Sequence, residues 1–381
     1  MKINIIHIIV GLKFGGAELA LKRLITKRSE YVNSTVVVSL TDDGELGSLF
    51  RDMGVTVISL HMRGILSFFT GLFRLTSIIR ALKPDIVHTW MYHANLMGGI
   101  ASRLAKNRNI VWSIRRTKLE YLDSKVTYAV MKVGALLSRV IPRAIVCVAD
   151  AAIDHHAAYG YDKKKMMVIP NGFDLSSNKY NESERESIRQ TLNISSGDTI
   201  IGTVGRFHHS KDFHNFILSA SRVMVKFDRV HCIMLGRNVD RQNEQLVNWL
   251  DKYGVSSRFS LIGEVNTVPA YMSAMDIFCL SSRTEGFPNV LAEAMCIGLP
   301  CVATDVGDVT MMAGSSAIIV EPSNSAALTN GLSSMLSKTV ESRNKMGQEG
   351  KKRISENFEL GEVCSRYFEL YEGIIELDRC E

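Results

Sequence analysis

Short apolar runs rich in branched residues recur along the whole chain, separated by segments of helical periodicity, and this alternation most narrows the folds open to it. The runs are INIIHIIV (3–10), TVVVSL (35–40), VTVISL (55–60), DIVHTW (85–90), NIVWSI (109–114), AIVCVA (144–149) and MMVIP (166–170). After a polar gap they resume as TIIGTVG (199–205), VHCIMLG (230–236), FSLIG (259–263), DIFCLSS (276–282), LPCVATD (299–305) and SAIIV (316–320). Runs that are continuous rather than alternating belong to strands buried on both faces, as in parallel sheets. Helical segments such as 16–29 and 325–337 lie between them, so the pattern predicts doubly wound α/β layers.

The polar stretch SSNKYNESERES (176–187) is the clearest break. It predicts two α/β domains, 1–175 and 176–360, with a terminal helix over 361–381 returning to the first domain. In such sheets ligands bind at the carboxyl ends of the strands, so a cleft at those ends is the expected site. The net charge of +6 suits anionic ligands or an anionic membrane surface and is too small to argue for nucleic acid. Seven scattered cysteines without Cys-x-x-Cys spacing read as buried reduced thiols of a cytoplasmic protein. The start reads as a first strand rather than a signal peptide, and no uncharged run reaches the ~18 residues of a membrane span.

Four stretches carry candidate chemistry. In VGLKFGGAE (10–18), Gly15 and Gly16 open a helix whose N-terminus favours a negative group, although this is not a full dinucleotide fingerprint. In GTVGRFHHSKDF (202–213), Arg206 and Lys211 follow a buried strand and could neutralise a diphosphate, or be plain surface charges. In EGFPNVLAEAM (285–295), Pro288 falls in the first helical turn, and the amides of Asn289, Val290 and Leu291 are expected to point out as an anion site. Glu285 before that helix and Glu293 within it could accept hydroxyl hydrogens, or serve as a cap and a surface acid. In DIVHTWMYHAN (85–95), His88 ends a strand and His93 lies just beyond.

Segment 65–83 is apolar at 65, 68, 69, 72, 75, 79 and 82, with Arg74, Ser77 and Arg80 opposite. It is an amphipathic helix that either packs on the sheet or meets a membrane, and 115–143 carries the same ambiguity.

With these residues on the page, GGAE (15–18), PNGFD (170–174), VGRF with KD (204–212) and SSRTEGFPNVLAEAMCIGLPCVATDVGD (281–308) together resemble the retaining glycosyltransferases of family 4, of the GT-B fold. The likeness runs nearly the whole length in order, and the Glu-x7-Glu block is its most specific part. It implies two Rossmann-like domains facing a central cleft and a nucleotide-diphosphate sugar, expected to be a UDP-sugar, held mainly by the second domain. By motif, Arg206 and Lys211 would bind the diphosphate, and Glu285 the donor sugar. The amides near Phe287 to Leu291 would meet sugar and phosphate, and Glu293 the ribose. Gly16 would approach the phosphate, and Glu264 falls where the base is held. No cofactor or metal is implied.

The chain departs from the family at one position. Many relatives read His-x-His after this strand, and the second position here is Trp90; His93 is the substitute, with His88 behind it. The expected reaction is retaining transfer of a hexose-type sugar to a saccharide or polyprenyl-linked saccharide hydroxyl in bacterial surface-polysaccharide assembly, at or near the inner face of the membrane. The rivals are a nucleotide-sugar epimerase of the same fold and a non-catalytic nucleotide-sugar-binding subunit.

Overall fold

A computed structural model describes residues 2–28, 31–64, 67–117 and 124–380. It divides into two compact units, residues 1–172 with 360–381, and residues 173–359. The first division falls three residues ahead of the expected one because Phe173 already belongs with the second unit: its N–H donates to the Phe358 carbonyl (2.9 Å), and it bridges to Glu359.

The first unit is a seven-stranded parallel sheet of β1 (Ile3–Ile9), β2 (Val32–Ser39), β3 (Thr56–Ser59), β4 (Ile86–Trp90), β5 (Ile110–Ile114), β6 (Ala144–Cys147) and β7 (Met166–Val168), in the order β3-β2-β1-β4-β5-β6-β7. The second is a six-stranded parallel sheet of β8 (Thr199–Val204), β9 (Val230–Leu235), β10 (Phe259–Leu261), β11 (Ile277–Leu280), β12 (Cys301–Thr304) and β13 (Ala317–Val320), in the order β10-β9-β8-β11-β12-β13. Both are Rossmann-like. In each, the chain winds outward from one central strand and then crosses back to wind the other way. Loops leaving the two central strands therefore diverge, and each sheet has a crevice at that switch point. The switch lies between β1 and β4 in the first unit and between β8 and β11 in the second.

In the first unit a buried layer between the sheet and the helices Gly16–Thr26 and Leu360–Cys380 includes Ile5, Leu21, Trp90, Phe368 and Tyr371. The terminal helix is tied to the sheet by polar contacts inside this layer. His88 Nδ1 meets the Tyr371 hydroxyl (2.7 Å), and His88 Nε2 meets Ser113 Oγ (2.8 Å). On the other side the helix Ser67–Leu82 buries Leu75 and Ile79. Of the expected stripe, Phe68 and Leu72 pack inward with Leu75 and Ile79, but Phe69 and Leu82 are exposed (75% and 46%), as is Phe73 outside the stripe (74%). Ile65, and residues 118–123 of the second amphipathic segment, lie outside the described residues. Six cysteines are free and buried; the side chain of Cys380 lies outside the described ones. Among the described residues no helix is long and apolar enough to cross a membrane.

Candidate functional site

The second unit brings its expected residues together at the β8/β11 switch. The loop leaving β8 makes a short turn at His209–Lys211 and then holds Asp212 at φ 49°, ψ 48°, a left-handed conformation that costs a non-glycine residue free energy. The loop leaving β11 runs through Ser281, Ser282 and Arg283 to Glu285. Three contacts stitch the two loops, and a fourth, from Ser282, orients Glu285 within its own loop. Lys211 Nζ donates to Glu285 Oε1 (2.6 Å), and the Ser282 hydroxyl donates to the same oxygen (2.6 Å). The Ser281 hydroxyl donates to the Lys211 carbonyl (2.9 Å), and the Arg283 amide to the Ser210 carbonyl (2.7 Å). The Arg283 guanidinium closes the staple with a two-point pair on the Asp212 carboxylate, Nε to Oδ2 at 2.8 Å and Nη2 to Oδ1 at 2.9 Å.

Lys211 and Glu285 are only 17% and 13% exposed, so this ion pair is poorly screened. Arg206 stands exposed, with no ionic partner among the described residues. The crevice floor is kept open by backbone alone. Gly236 has φ 139° and lies so near the Gly205 carbonyl that a Cβ there would collide with it. Next to it, Glu264 makes a forked surface pair with Arg237 (3.2 and 3.3 Å).

The helix after Glu285 differs from expectation. Pro288 is its N-cap and the helix is Asn289–Ile297. The Asn289 and Leu291 amides do not point outward. They donate to the carbonyls of Phe287 (2.9 Å) and Pro288 (3.0 Å), because the Gly-Phe-Pro turn folds its own carbonyls under the first helical turn. Of the three expected donors, only the Val290 N–H meets no acceptor among the described residues. Phe287 is buried between Phe173 and Phe358. Glu293 lies at the fifth helical position, half-buried.

Sequence reasoning passed over Asp212, Arg283 and Asn215. Asn215 is buried on the first turn of the helix Phe213–Met224, and its side-chain amide has no hydrogen-bond partner among the described residues. Buried polar groups are normally satisfied, so it has capacity left for a ligand. The Lys-Asp pair at 211–212, read only as part of a motif, was the one local signal available.

In the first unit the switch between β1 and β4 carries the remaining candidates. Gly15 caps the helix Gly16–Thr26, and Glu18 curls back over it so that a Cβ at Gly15 would collide with the carboxylate. The negative group at this helix end is thus the chain's own Glu18, whose pKa is raised by burial. After β4, Met91 is held at φ 73°, ψ 165°, a region populated almost only by glycine. That turn starts the helix Tyr92–Leu104 and sets His93 half-buried on its first turn, with its pKa lowered by desolvation.

The fallback histidine is excluded. His88 is fully buried, both ring nitrogens are engaged, and burial holds its pKa well below the ordinary value. Trp90 also faces the core, its Nε1 donating to His7 Nδ1 (3.3 Å). Alternate residues of a strand share a face, so His88 and Trp90 go inward together. Among the described residues no group of three or more His, Cys, Asp or Glu is placed to hold a metal ion.

The family model for Glycosyltransferase Family 4 matches residues 14–177, and that for Glycosyl transferases group 1 matches residues 184–353. The chain is 26% identical over 241 residues to the Escherichia coli UDP-Gal:alpha-D-GlcNAc-diphosphoundecaprenol alpha-1,3-galactosyltransferase, covering 62% of each. It is 25% identical over 303 residues to the Staphylococcus aureus capsular polysaccharide biosynthesis glycosyltransferase CapH, covering 77% of this chain and 78% of that one. Its fold matches Anabaena HepE solved in complex with UDP, with TM-score 0.86, 20% identity, and coverage of 98% of this chain and all of that one.

Proposed function

Because the chain belongs with the GT-B glycosyltransferases, a family 4 domain followed by a group 1 domain, we propose that it transfers a hexose from a nucleotide-diphosphate donor to a lipid-linked saccharide, with retention and without a metal. The observation that carries this reading is the Lys211–Glu285–Ser282 cluster at the switch point of the second sheet. A donor lying there would set its diphosphate against Lys211 and the free guanidinium of Arg206, with the Val290 N–H as a further donor. Cationic and N–H donors already in place stabilise charge that develops on a departing diphosphate. Lys211 would then sit between that anion and Glu285. Glu285, oriented by both Lys211 and Ser282, accepts from hydroxyls of the moving sugar, and Glu293 accepts from the ribose.

No protein nucleophile is required if the departing phosphate takes the acceptor proton on the same face. The donor is proposed to be a UDP-sugar, in keeping with the UDP complex of HepE and the UDP-Gal named for the E. coli relative. That enzyme's diphosphoundecaprenol acceptor supports a polyprenyl-linked acceptor here, in bacterial polysaccharide assembly. An acceptor of that kind is presented by a membrane. We therefore assign the exposed Phe69 and Phe73, with Val126, Leu136 and Lys132 of the helix Lys125–Leu137, to peripheral docking on an anionic leaflet.

His93 is the proposed polar contact to the transferred sugar. His93→Ala is expected to lower kcat about 10–100-fold, the worth of one lost hydrogen bond to a reacting group, with an unchanged circular dichroism spectrum. Full activity would remove His93 from the mechanism. The donor is tested by thermal shift across nucleotide sugars. A ligand at a hundred times its Kd adds about 2.7 kcal/mol of apparent stability. A UDP-hexose should shift the melt where the GDP- and ADP-sugars do not, and an equal shift by all three would overturn the UDP assignment.

A further inference from the structure

Phe173 of the PNGFD motif lies where the chain enters the second unit, and Phe358 lies where the chain leaves it. The two segments are tied to each other. The Phe173 N–H donates to the Phe358 carbonyl (2.9 Å), and Phe173 bridges to Glu359 in parallel. Their rings form a slot filled by a third ring, Phe287. It stacks on Phe173 (centroids 6.1 Å apart, planes inclined by 15°) and meets Phe358 edge-on (5.9 Å, 63°). Both spacings fall in the range that aromatic pairs prefer. Phe173, Phe287 and Phe358 are all buried.

Phe287 is two residues from Glu285, in the turn that presents this carboxylate to Lys211 and Ser282. Gly286 has no side chain and Pro288 has no N–H, so the ring of Phe287 is the largest anchor within the turn. The turn's backbone is gripped as well. Gly307, at φ 56°, lies so near the Glu285 and Gly286 carbonyls that a Cβ there would collide with them. A carboxylate that meets sugar hydroxyls must hold its place, because a displacement of about 1 Å at a reacting centre can cost on the order of 10²-fold in rate.

We propose that Phe173 and Phe358 are positioning residues for Glu285: their slot fixes Phe287, and through it the carboxylate that meets the donor sugar. This role rests on the reading of Glu285 as the sugar contact. Glu293, proposed for the ribose, has separate support, since its helix is anchored by buried Leu291, Met295 and Ile297. Loss of the slot should therefore weaken the hold on the sugar and spare the hold on the nucleotide.

The test measures binding of UDP-glucose, UDP-galactose and UDP to the full chain by calorimetry, with melting temperature read in parallel. The quantity compared is the Kd of the tighter-binding sugar nucleotide divided by the Kd of UDP. In E285A this ratio should rise at least about tenfold, the worth of a hydrogen bond to a charged group. In F358L, which keeps the slot apolar but removes a ring, it should rise about three- to tenfold while the Kd of UDP stays within about twofold. In F358L/E285A it should equal the E285A value, because Phe358 acts through Glu285. F173L removes the stacked partner instead and should give the same pattern, which keeps the test open if F358L does not fold. A ratio that moves in E285A but in neither phenylalanine variant, or effects that add in the double variant, would overturn the positioning role and leave the three rings as core. A ratio unmoved in E285A would remove the sugar contact itself, and the positioning role with it.

Discussion

Replacing Lys211 by alanine is expected to lower kcat/KM about 10²–10³-fold, the usual cost of losing one charged stabiliser of a developing anion. The same change has a structural cost that must be separated from the catalytic one. Lys211 and Glu285 are mostly buried and share one oxygen with Ser282, so removing the lysine takes the counter-charge from a carboxylate in a poorly screened site. That costs about 1–3 kcal/mol of stability. A double-mutant cycle makes the distinction. K211A/E285A should recover part of the stability lost by K211A, because no carboxylate without a counter-charge remains, while its activity stays as low as that of either single variant. Recovery of activity in parallel with stability would make the pair purely structural. The Arg283–Asp212 pair, which holds the same two loops, would then be the better place to look for function.

The second large effect concerns pH. Three histidines of the first unit are buried in neutral form. Burial lowers His7 to about 3 and His156 to about 4, and holds His88 well below its ordinary value. In each case the unfolded chain binds a proton at a pH where the folded one does not. The stability they allow is therefore complete above about pH 6.5 and falls as the pH drops below it. Each site loses ~1.4 kcal/mol per pH unit in that window, so three together cost about 6 kcal/mol by pH 5. That is comparable with the whole stability of many domains. Trp90 and Trp112 report on this unit once Trp249 is replaced by phenylalanine. The urea midpoint of W249F, followed by fluorescence, should fall steeply between pH 6.5 and 5. A flat profile would mean that these histidines are charged when folded, contrary to the contacts His88 makes with Tyr371 and Ser113.

The architecture was legible because buried parallel strands must be continuous and branched, and all thirteen such runs are strands. The switch-point residues Lys211 and Glu285 were legible for a related reason: loops following central strands are where such sheets bind ligands. The staple between them was not, because Arg283 and Asp212 are 71 residues apart and nothing local pairs them. The amides after Pro288 were misread because one residue's shift in the cap turns two donors back onto the chain's own carbonyls. His88 was misread as reachable because strand parity, not proximity to the strand end, decides which way a side chain faces. Glu18, folded over Gly15, shows that a helix end which favours an anion can be supplied with one by its own first turn.

The proposed reaction moves a donor sugar to a lipid-linked acceptor. The most direct measurement incubates the protein with a radiolabelled UDP-hexose and a polyprenyl-diphosphate monosaccharide, then counts label in the lipid extract. Lipid-borne label and stoichiometric UDP are expected, both dependent on acceptor and both lost in K211A. UDP-sugar that binds but is recovered unchanged, or is epimerised without acceptor, would contradict it.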